Sequence, residues 1–302
     1  AEGLFKLVET IINKAFVEAS NYQAAVTLLK SALEKDPNYI DARLQLGIAY
    51  HETAKLDKAE NEFEKVLRQV PASYEANLRL AQLYLQTKRA SKAIELLSEL
   101  EKTHPDDHDI QSTLGQCYAF EGDYRLSEAS YRKALDLQPS NLKSQLGLTQ
   151  LLFVTGRPDE AQQRLQKTIE EHPQSTGPYY LKFKYALQQG NRDEALKSLE
   201  QIRTIAPDDI GAAYLLAMLY FDTGDLDKGR AISDILKADH PNHPAGSRVL
   251  GVYLYLKGDY ESALIAIQES LQGMPDLAGF YFSGLINYRL NQFEQALSSF
   301  QR

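Results

Sequence analysis

Tryptophan is absent from this 302-residue chain, and cysteine occurs once, at Cys117. One cysteine excludes an internal disulfide and leaves no set of thiolates for a structural zinc site. Basic residues are the minority, with 33 lysines and arginines against 41 aspartates and glutamates and a formal net charge of -8. A chain of this sign is a poor match for a polyanion, so we expect no nucleic-acid partner.

Long apolar runs are also missing. The most apolar stretch is Ala212–Phe221, about half of the roughly 20 residues that a membrane-spanning helix needs, so we expect no membrane span. Alternating apolar and polar runs are short, which argues against a sheet-based fold. The apolar fraction of 43% is still enough for a continuous core.

The sequence does contain a strict period of 34 residues. Spacings of this size are typical of repeat proteins. The prolines on this period are Pro37, Pro71, Pro105, Pro139, Pro173, Pro207, Pro241 and Pro275. A small residue recurs at Ala25, Ala59, Ala93, Ser127, Ala161, Ala195, Gly229 and Ala263, and glycine recurs at Gly122, Gly156, Gly190, Gly224 and Gly258.

Each period holds two helices. Apolar residues follow one another at steps of three and four, as Ala59, Phe63 and Val66 show. Glycine ends the first helix in a left-handed conformation, and proline separates the second helix from the next repeat. The predicted repeats are 6–39, 40–73, 74–107, 108–141, 142–175, 176–209, 210–243, 244–276 and an incomplete 277–302.

These residues resemble the tetratricopeptide-repeat (TPR) family. The stretch from Ile40 matches its pattern at Leu46, Gly47, Tyr50, Ala59, Phe63, Val66 and Pro71. The resemblance implies an all-α fold, a right-handed TPR superhelix of about nine helix-turn-helix repeats that forms a single solenoid over residues 1–302. It also implies a non-catalytic scaffold that binds a protein or peptide segment in a concave groove lined by the first helices.

The sequence departs from the family pattern in two places. Tryptophan never occupies the first large aromatic position. The repeat from Thr176 has Lys182 and Phe183 where leucine and a small residue are expected. A shift of one residue, with Leu181 and Tyr185 as the inward pair, restores the pattern.

The family pattern also predicts which residues face the groove. In the N-terminal half they are mostly polar: Asp41, Leu44, Ile48, His51, Glu52, Glu75, Leu78, Gln82, Asp109, Ser112 and Gln116. The C-terminal half is aromatic, and we predict a peptide-binding surface there, formed by Tyr180, Lys184, Tyr214, Met218, Phe221, Arg248, Val252, Tyr255, Tyr281, Tyr288 and Arg289. The alternative is that several of these aromatics pack between helices.

The sequence contains few residues that match known catalytic, metal-binding or ligand-binding motifs. The lysine and asparagine with which some TPR domains clamp a terminal carboxylate are replaced, for example by Leu44 and Ile48. The histidine pairs near Pro105 and Pro241 are interpreted as turn residues, and Cys117 as a buried, inert thiol. Phosphate-binding loops and nucleophile elbows are missing. We expect no catalytic residue, no metal and no cofactor.

Several alternatives about context stay open. Segments 240–244, 256–260 and 288–296 are similar to TPR lipoproteins of bacterial exosortase (PEP-CTERM) systems, which favours envelope sorting or polysaccharide export and a periplasmic location over the cytoplasm. The alternative hypothesis is that the chain is the regulatory or substrate-recruiting arm of a larger enzyme such as a glycosyltransferase. Arg302 is expected inside the second helix of the ninth repeat, and an uncapped repeat there predicts either more chain or a homo-oligomer.

Overall fold

The structure, a computed structural model, describes residues 22–302. Every regular element in this range is an α-helix, which confirms the predicted all-α class. The chain divides into two compact units, unit 1 ending at Thr168 and unit 2 beginning at Ile169.

Each repeat consists of a first helix and a second helix, and these alternate along unit 1. The first described helix is a second helix. The helices of unit 1 are α1 (Tyr22–Lys35), α2 (Ile40–Glu52), α3 (Leu56–Gln69), α4 (Tyr74–Gln86), α5 (Ala90–Thr103), α6 (His108–Glu121), α7 (Tyr124–Leu137), α8 (Leu142–Val154) and most of α9 (Pro158–Glu171). Unit 2 contains α10 (Gly177–Gln188), α11 (Arg192–Ile205), α12 (Ile210–Asp222), α13 (Leu226–Asp239), α14 (Ala245–Lys257), α15 (Tyr260–Gly273), α16 (Leu277–Arg289) and α17 (Phe293–Phe300).

Helix boundaries follow from capping chemistry at both ends. Asp107, just after a periodic proline, accepts hydrogen bonds from the N–H groups of Asp109 and Ile110 at 2.8 and 3.0 Å and so begins α6. Gly122 ends α6 in the left-handed region with φ 82°. The other glycines predicted at first-helix ends have the same conformation, with φ between 73° and 86°.

Within each unit the helices pack in sequence order. In unit 1 the helices α1 to α8 form a consecutive series in which each helix packs on its neighbours in sequence. The helices α10 to α17 form a second series of this kind in unit 2. Successive first helices also touch one another, as α4, α6 and α8 do in unit 1 and α12, α14 and α16 do in unit 2. Within neither unit do two successive second helices of the described residues make a comparable contact. The first helices therefore form the inner row of each unit.

Small residues on the 34-residue period allow the two helices of a repeat to approach closely. Ala59 and Phe63 are fully buried, and a Cβ added at Gly47 would lie 2.6 Å from the Phe63 ring. Where serine replaces alanine, at Ser127, its hydroxyl donates to the carbonyl of Gly115 at 2.8 Å. The hydroxyl is thus satisfied inside the core, which is why serine is accepted there.

From residue 40 onward each predicted repeat range contains one first helix and one second helix, while the repeat bounds themselves stay a prediction. The first helix of the repeat predicted at 6–39 lies outside the described residues. α17 ends at Phe300, so Arg302 lies just beyond the helix and not within it, because terminal turns close earlier than a pattern indicates. A single solenoid over the whole chain stays a prediction.

Candidate functional site

The inner row of unit 1 encloses an open cavity of about 580 Å³. It is lined by first helices α4, α6 and α8 and by second helix α7, through Leu85, Gln116, Ala119, Phe120, Tyr124, Tyr131, Lys143, Leu146, Gly147, Gln150, Leu151 and Val154. We call it the inner cavity. Its volume lies in the range of ligand-binding clefts, and its lining is mostly apolar with a few polar groups, as in such clefts.

Glycines on α6 and α8 make room for the ring of Tyr131 in the lining of the inner cavity. A Cβ added at Gly147 would lie 2.4 Å from the Tyr131 ring, and one added at Gly115 would lie 2.7 Å from the same ring. Tyr131 therefore occupies the space beside both glycines and is itself buried. No side chain projects from Gly147 into the opening between α6 and α8.

Two large apolar side chains at the cavity remain open to solvent. Phe120, near the end of α6, is 51% exposed, and Val154, the last residue of α8, is 55% exposed. Most large apolar side chains of unit 1 are buried in its core, so this exposure at a concave lining is unusual. Apolar surface of this kind, rimmed by polar groups, is typical of binding sites.

Lys143 is the one basic side chain of the cavity lining. Its Nζ donates to Thr113 Oγ1 at 3.2 Å and, in the part of the chain that the structure describes, forms no ion pair. Burial lowers the pKa of its ammonium, while the carboxylate of Asp109 acts in the opposite direction. An unpaired cation in an apolar wall is unfavourable, because the protein replaces only part of its hydration.

Lys143 also lies in an unfavourable part of its helix. It is the second residue of α8, and α8 has no acidic residue in its first turn. The positive end of a helix dipole favours anions there and disfavours a lysine. Both the burial and the helix position of Lys143 would be improved by a nearby negative charge.

Among the predicted groove residues, only Gln116 lines the inner cavity. The groove positions predicted in the second to fourth repeats are mostly polar. The same positions in the repeat at 142–175 are occupied by Lys143, Leu146, Gln150 and Val154, so the signal was present in the sequence. Gly147, which makes room for the Tyr131 ring in the lining, lies at a different position from the family glycine and gave no signal.

Three residues of the predicted C-terminal binding surface are buried. Phe221 packs against Gly229, where an added Cβ would lie 2.2 Å from its ring. Val252 lies in the core of unit 2. Arg248, 4% exposed, donates to Asp276 Oδ2 at 2.5 Å and to Ser270 Oγ at 3.1 Å, and so ties α14 to the start of α16.

Three further predicted residues are partly buried. The hydroxyl of Tyr180 donates to Asp209 Oδ2 at 2.7 Å, and the other oxygen of Asp209 caps α12. Tyr214 and Met218, both on α12, pack against the core of unit 2. Burial raises the pKa of the Tyr214 hydroxyl above its usual range.

The remaining predicted residues are the most accessible. Tyr281 and Tyr288 on α16 are 52% and 59% exposed, and Lys184 is exposed on α10. A hydrogen bond with Tyr255 raises the pKa of the Arg289 guanidinium, so the structure brings these two predicted residues together. The role of the whole set in binding stays a prediction.

Of the other reactive groups, Cys117 lies in the core as predicted, whereas His108, predicted in a turn, is the first residue of α6. Cys117 is fully buried, and burial raises the pKa of its thiol to about 12. Over residues 22–302, no three His, Cys, Asp or Glu side chains gather in a way that could bind a metal ion. None of the helices in that range has the length and hydropathy to cross a bilayer.

A family model described as a tetratricopeptide repeat matches four segments of the chain, over residues 16–64, 55–117, 121–184 and 186–251. Together these segments include most of the sequence and, except for Ala119 and Phe120, all of the residues that line the inner cavity.

Two curated relatives resemble parts of the chain. The human "Protein O-mannosyl-transferase TMTC1" is 27% identical over 175 residues, which is 56% of this chain and 20% of that protein. The "Cellulose synthase operon protein C" of Pseudomonas fluorescens (strain SBW25) is 25% identical over 158 residues, 49% of this chain and 12% of that protein. The chain thus spans a fifth or less of the length of these relatives.

Among solved structures, yeast Tom70 is similar with a TM-score of 0.55. The alignment covers 97% of this chain and 84% of Tom70 at 14% sequence identity. At this identity the similarity establishes the fold alone, and it agrees with the solenoid arrangement of helix pairs.

Proposed function

The chain belongs to the tetratricopeptide-repeat family, and we propose that it is a non-catalytic scaffold that binds a peptide or protein segment on the inner faces of its first helices. A 34-residue helix pair cannot bury its own apolar face, so stacking produces a long surface with no enclosed active site. Such a surface is suited to an extended or helical segment of another protein.

The observation that supports this proposal most is the inner cavity. It combines a volume of about 580 Å³ with exposed apolar side chains, Phe120 and Val154, on the inner row of unit 1. A segment that places an apolar side chain there would remove both from water. Central, desolvated apolar contacts supply most of the affinity of protein interfaces.

The proposal is tested with a displayed library of random short peptides that are fused to the coat protein through their C termini. Peptides selected on the wild-type protein are synthesised, and their affinity is measured by fluorescence anisotropy. We expect the double substitution Phe120→Glu with Val154→Glu to weaken binding by on the order of tenfold or more, because it puts charge on the apolar lining.

The matched control is Ile265→Glu, which places a charge on a still more exposed apolar residue of the second helix α15. It should leave the affinity unchanged, and circular dichroism should show all variants folded, since these side chains are exposed. Selected peptides that bind both variants equally well, or a selection that enriches no peptide sensitive to Phe120 and Val154, would contradict the proposal.

A second candidate function is the regulatory or substrate-recruiting arm of a larger enzyme such as a glycosyltransferase. The similarity to human "Protein O-mannosyl-transferase TMTC1", a transferase by its name, favours it. The gene discriminates between the two functions: a catalytic domain in the same reading frame supports the arm, and a reading frame of repeats alone contradicts it.

An envelope role in sorting or polysaccharide export is a finer part of the proposal. Besides the segments at 240–244, 256–260 and 288–296, the similarity to a "Cellulose synthase operon protein C" supports it. Fractionation of the source cells tests this location directly. Recovery of the protein in the periplasm or envelope is expected, and recovery in the cytoplasm alone would contradict it.

A further inference from the structure

We infer that the inner cavity receives an acidic side chain of the partner, an aspartate or glutamate flanked by apolar residues, with its carboxylate held by Lys143. This inference rests on the proposed binding of a segment at the cavity. It adds the chemistry of the residue that is recognised there.

The first argument is charge. Lys143 lines the cavity, donates to Thr113 Oγ1, and forms no ion pair in the described part of the chain. Its ammonium has three donors, and a carboxylate in the cavity would accept from those that Thr113 does not use. Charge-assisted hydrogen bonds of this kind are shorter and stronger than neutral ones.

The second argument is the position of Lys143 at the start of α8. A lysine in the first turn opposes the helix dipole, and no acidic residue of that turn compensates it. An arrangement that breaks a local rule of this kind is expected at functional sites. A bound carboxylate would lie between the ammonium and the positive end of the helix, and would be attracted by both.

The third argument concerns the flanking residues. Lys143 and Val154 lie near opposite ends of α8, which places them about 16 Å apart along the helix. Leu146 and Leu151 lie between them on the lining, and Phe120 faces the cavity from α6. About five residues of extended peptide span that distance. In a bound peptide, the acidic residue that contacts Lys143 is therefore followed along the cavity by apolar residues that reach toward Val154.

The carboxylate is assigned to a side chain and not to a chain terminus. Terminal carboxylates are captured by clusters of free backbone N–H groups or, in some TPR domains, by a lysine together with an asparagine, and the lining of the inner cavity contains no asparagine. Apart from Lys143 and Tyr124, which lie in first turns, the lining residues lie beyond the first turns of α4, α6, α7 and α8, where the backbone N–H groups are used by the helices. One point-like ammonium in an apolar wall matches one side-chain carboxylate.

The test uses the library of the previous subsection, in which no peptide has a free C terminus. The wild-type protein should enrich peptides with an aspartate or glutamate beside leucine or phenylalanine. For one such synthetic peptide, an acid-to-amide change should weaken binding to wild type by on the order of tenfold, and should have little effect on binding to Lys143→Met.

Lys143→Met should fold as well as wild type, because it replaces a partly buried charge that has no ion pair among the described residues with an apolar side chain of similar length. Lys58→Met, at an exposed position of α3, is the matched control and should keep the preference for the acidic peptide. Equal effects of the acid-to-amide change on wild type and Lys143→Met would overturn the inference. So would binding that requires a free C terminus.

These outcomes separate the two proposals. Peptides that are weakened by Phe120→Glu with Val154→Glu, yet show no dependence on Lys143, would leave the groove-binding function standing and overturn the recognition of an acid. Peptides insensitive to the Phe120 and Val154 changes would overturn the function itself.

Discussion

At the residue scale, the positions that end the first helices show how strongly one backbone conformation is required. Gly122 and four further glycines have positive φ there, and Ala54, Lys88 and Asn291 adopt the same conformation at equivalent positions with φ 55°, 61° and 60°. The repeat therefore imposes the left-handed conformation even where the residue does not favour it.

Lys88→Gly should stabilise the protein. The substitution removes about 1–2 kcal/mol of strain from the left-handed conformation in the folded state. Glycine also gives the unfolded chain more conformational freedom, which offsets about 0.5–1 kcal/mol of this gain. We therefore expect the free energy of unfolding to rise by about 0.5–1 kcal/mol. Urea denaturation followed by circular dichroism measures it. Gly122→Ala is the opposite control, because an added Cβ meets nothing within 4 Å and only the strain acts. A loss of stability in Lys88→Gly would be inconsistent with this role.

Ala59→Leu should destabilise the protein by about 1–3 kcal/mol through overpacking. Ala59 is fully buried where α2 and α3 cross, and the ring of Phe63 already fills the adjacent space at Gly47. Thermal unfolding measures the change. Ala129→Leu, at an exposed position of α7, should have no such effect. Equal melting temperatures for the two variants would show that the packing register is wrong.

At the element scale, ion pairs connect the second helix of one repeat to the next repeat. Arg89 donates to both carboxylate oxygens of Glu60, each at 2.7 Å. The equivalent pair two repeats later joins Arg157 to Glu128 at 2.8 Å, and Arg132 adds a bond of 2.6 Å to the same carboxylate. Hydrogen bonds with Arg132 and Arg157 lower the pKa of Glu128.

Glu128→Gln should therefore lower stability near neutral pH and lose this effect in acid. A carboxyl group whose pKa is lower in the folded state stabilises it above the unfolded pKa of about 4.3, and this stabilisation disappears as the pH falls through the folded pKa. The measurement is the difference in urea midpoint between wild type and variant from pH 7 to pH 3.

Glu99→Gln is the control for that experiment. Glu99 pairs only with Lys102 on its own helix, and both side chains are largely exposed, so its removal should matter little at any pH. A difference for Glu128→Gln that is constant with pH, or as small as that of Glu99→Gln, would contradict a stabilising role for the inter-repeat pair.

The helix pattern was predictable from the sequence because proline, glycine and small residues recur at positions where helix ends and close helix crossings require them. Even the irregular repeat followed the predicted one-residue shift: Leu181 and Tyr185 are buried on α10, and Lys182 pairs with Glu194 at 2.5 Å. The three non-glycine residues with positive φ were not predicted, because propensity alone gives no reason to place a lysine or an alanine there.

At the scale of the whole molecule, the binding surface was much less predictable than the fold. The family pattern predicts which positions face inward, but it does not predict which of their side chains are already bonded to other residues of the protein. Arg248 was predicted as a groove residue and binds Asp276, whereas Lys143 forms no ion pair with any residue that the structure describes. That difference depends on neighbours in the next repeat, which periodicity does not specify.

Self-association through the last repeat also belongs to this scale and stays a prediction. Leu297 on α17 is 59% exposed, with Phe293 and Phe300 exposed beside it. If this face binds a second copy, Leu297→Glu should shift a concentration-dependent dimer to monomer in multi-angle light scattering. A wild-type protein that remains monomeric at all concentrations would contradict the prediction.

Hydrogen–deuterium exchange of the full chain, with and without a selected peptide, tests most directly whether a partner segment binds at the inner cavity. Binding there should slow amide exchange in α6 and α8, because a ligand stabilises the helices it contacts against local opening. The second helices α3 and α15 should change little. Protection confined to second helices or to unit 2, with α6 and α8 unaffected, would contradict the account.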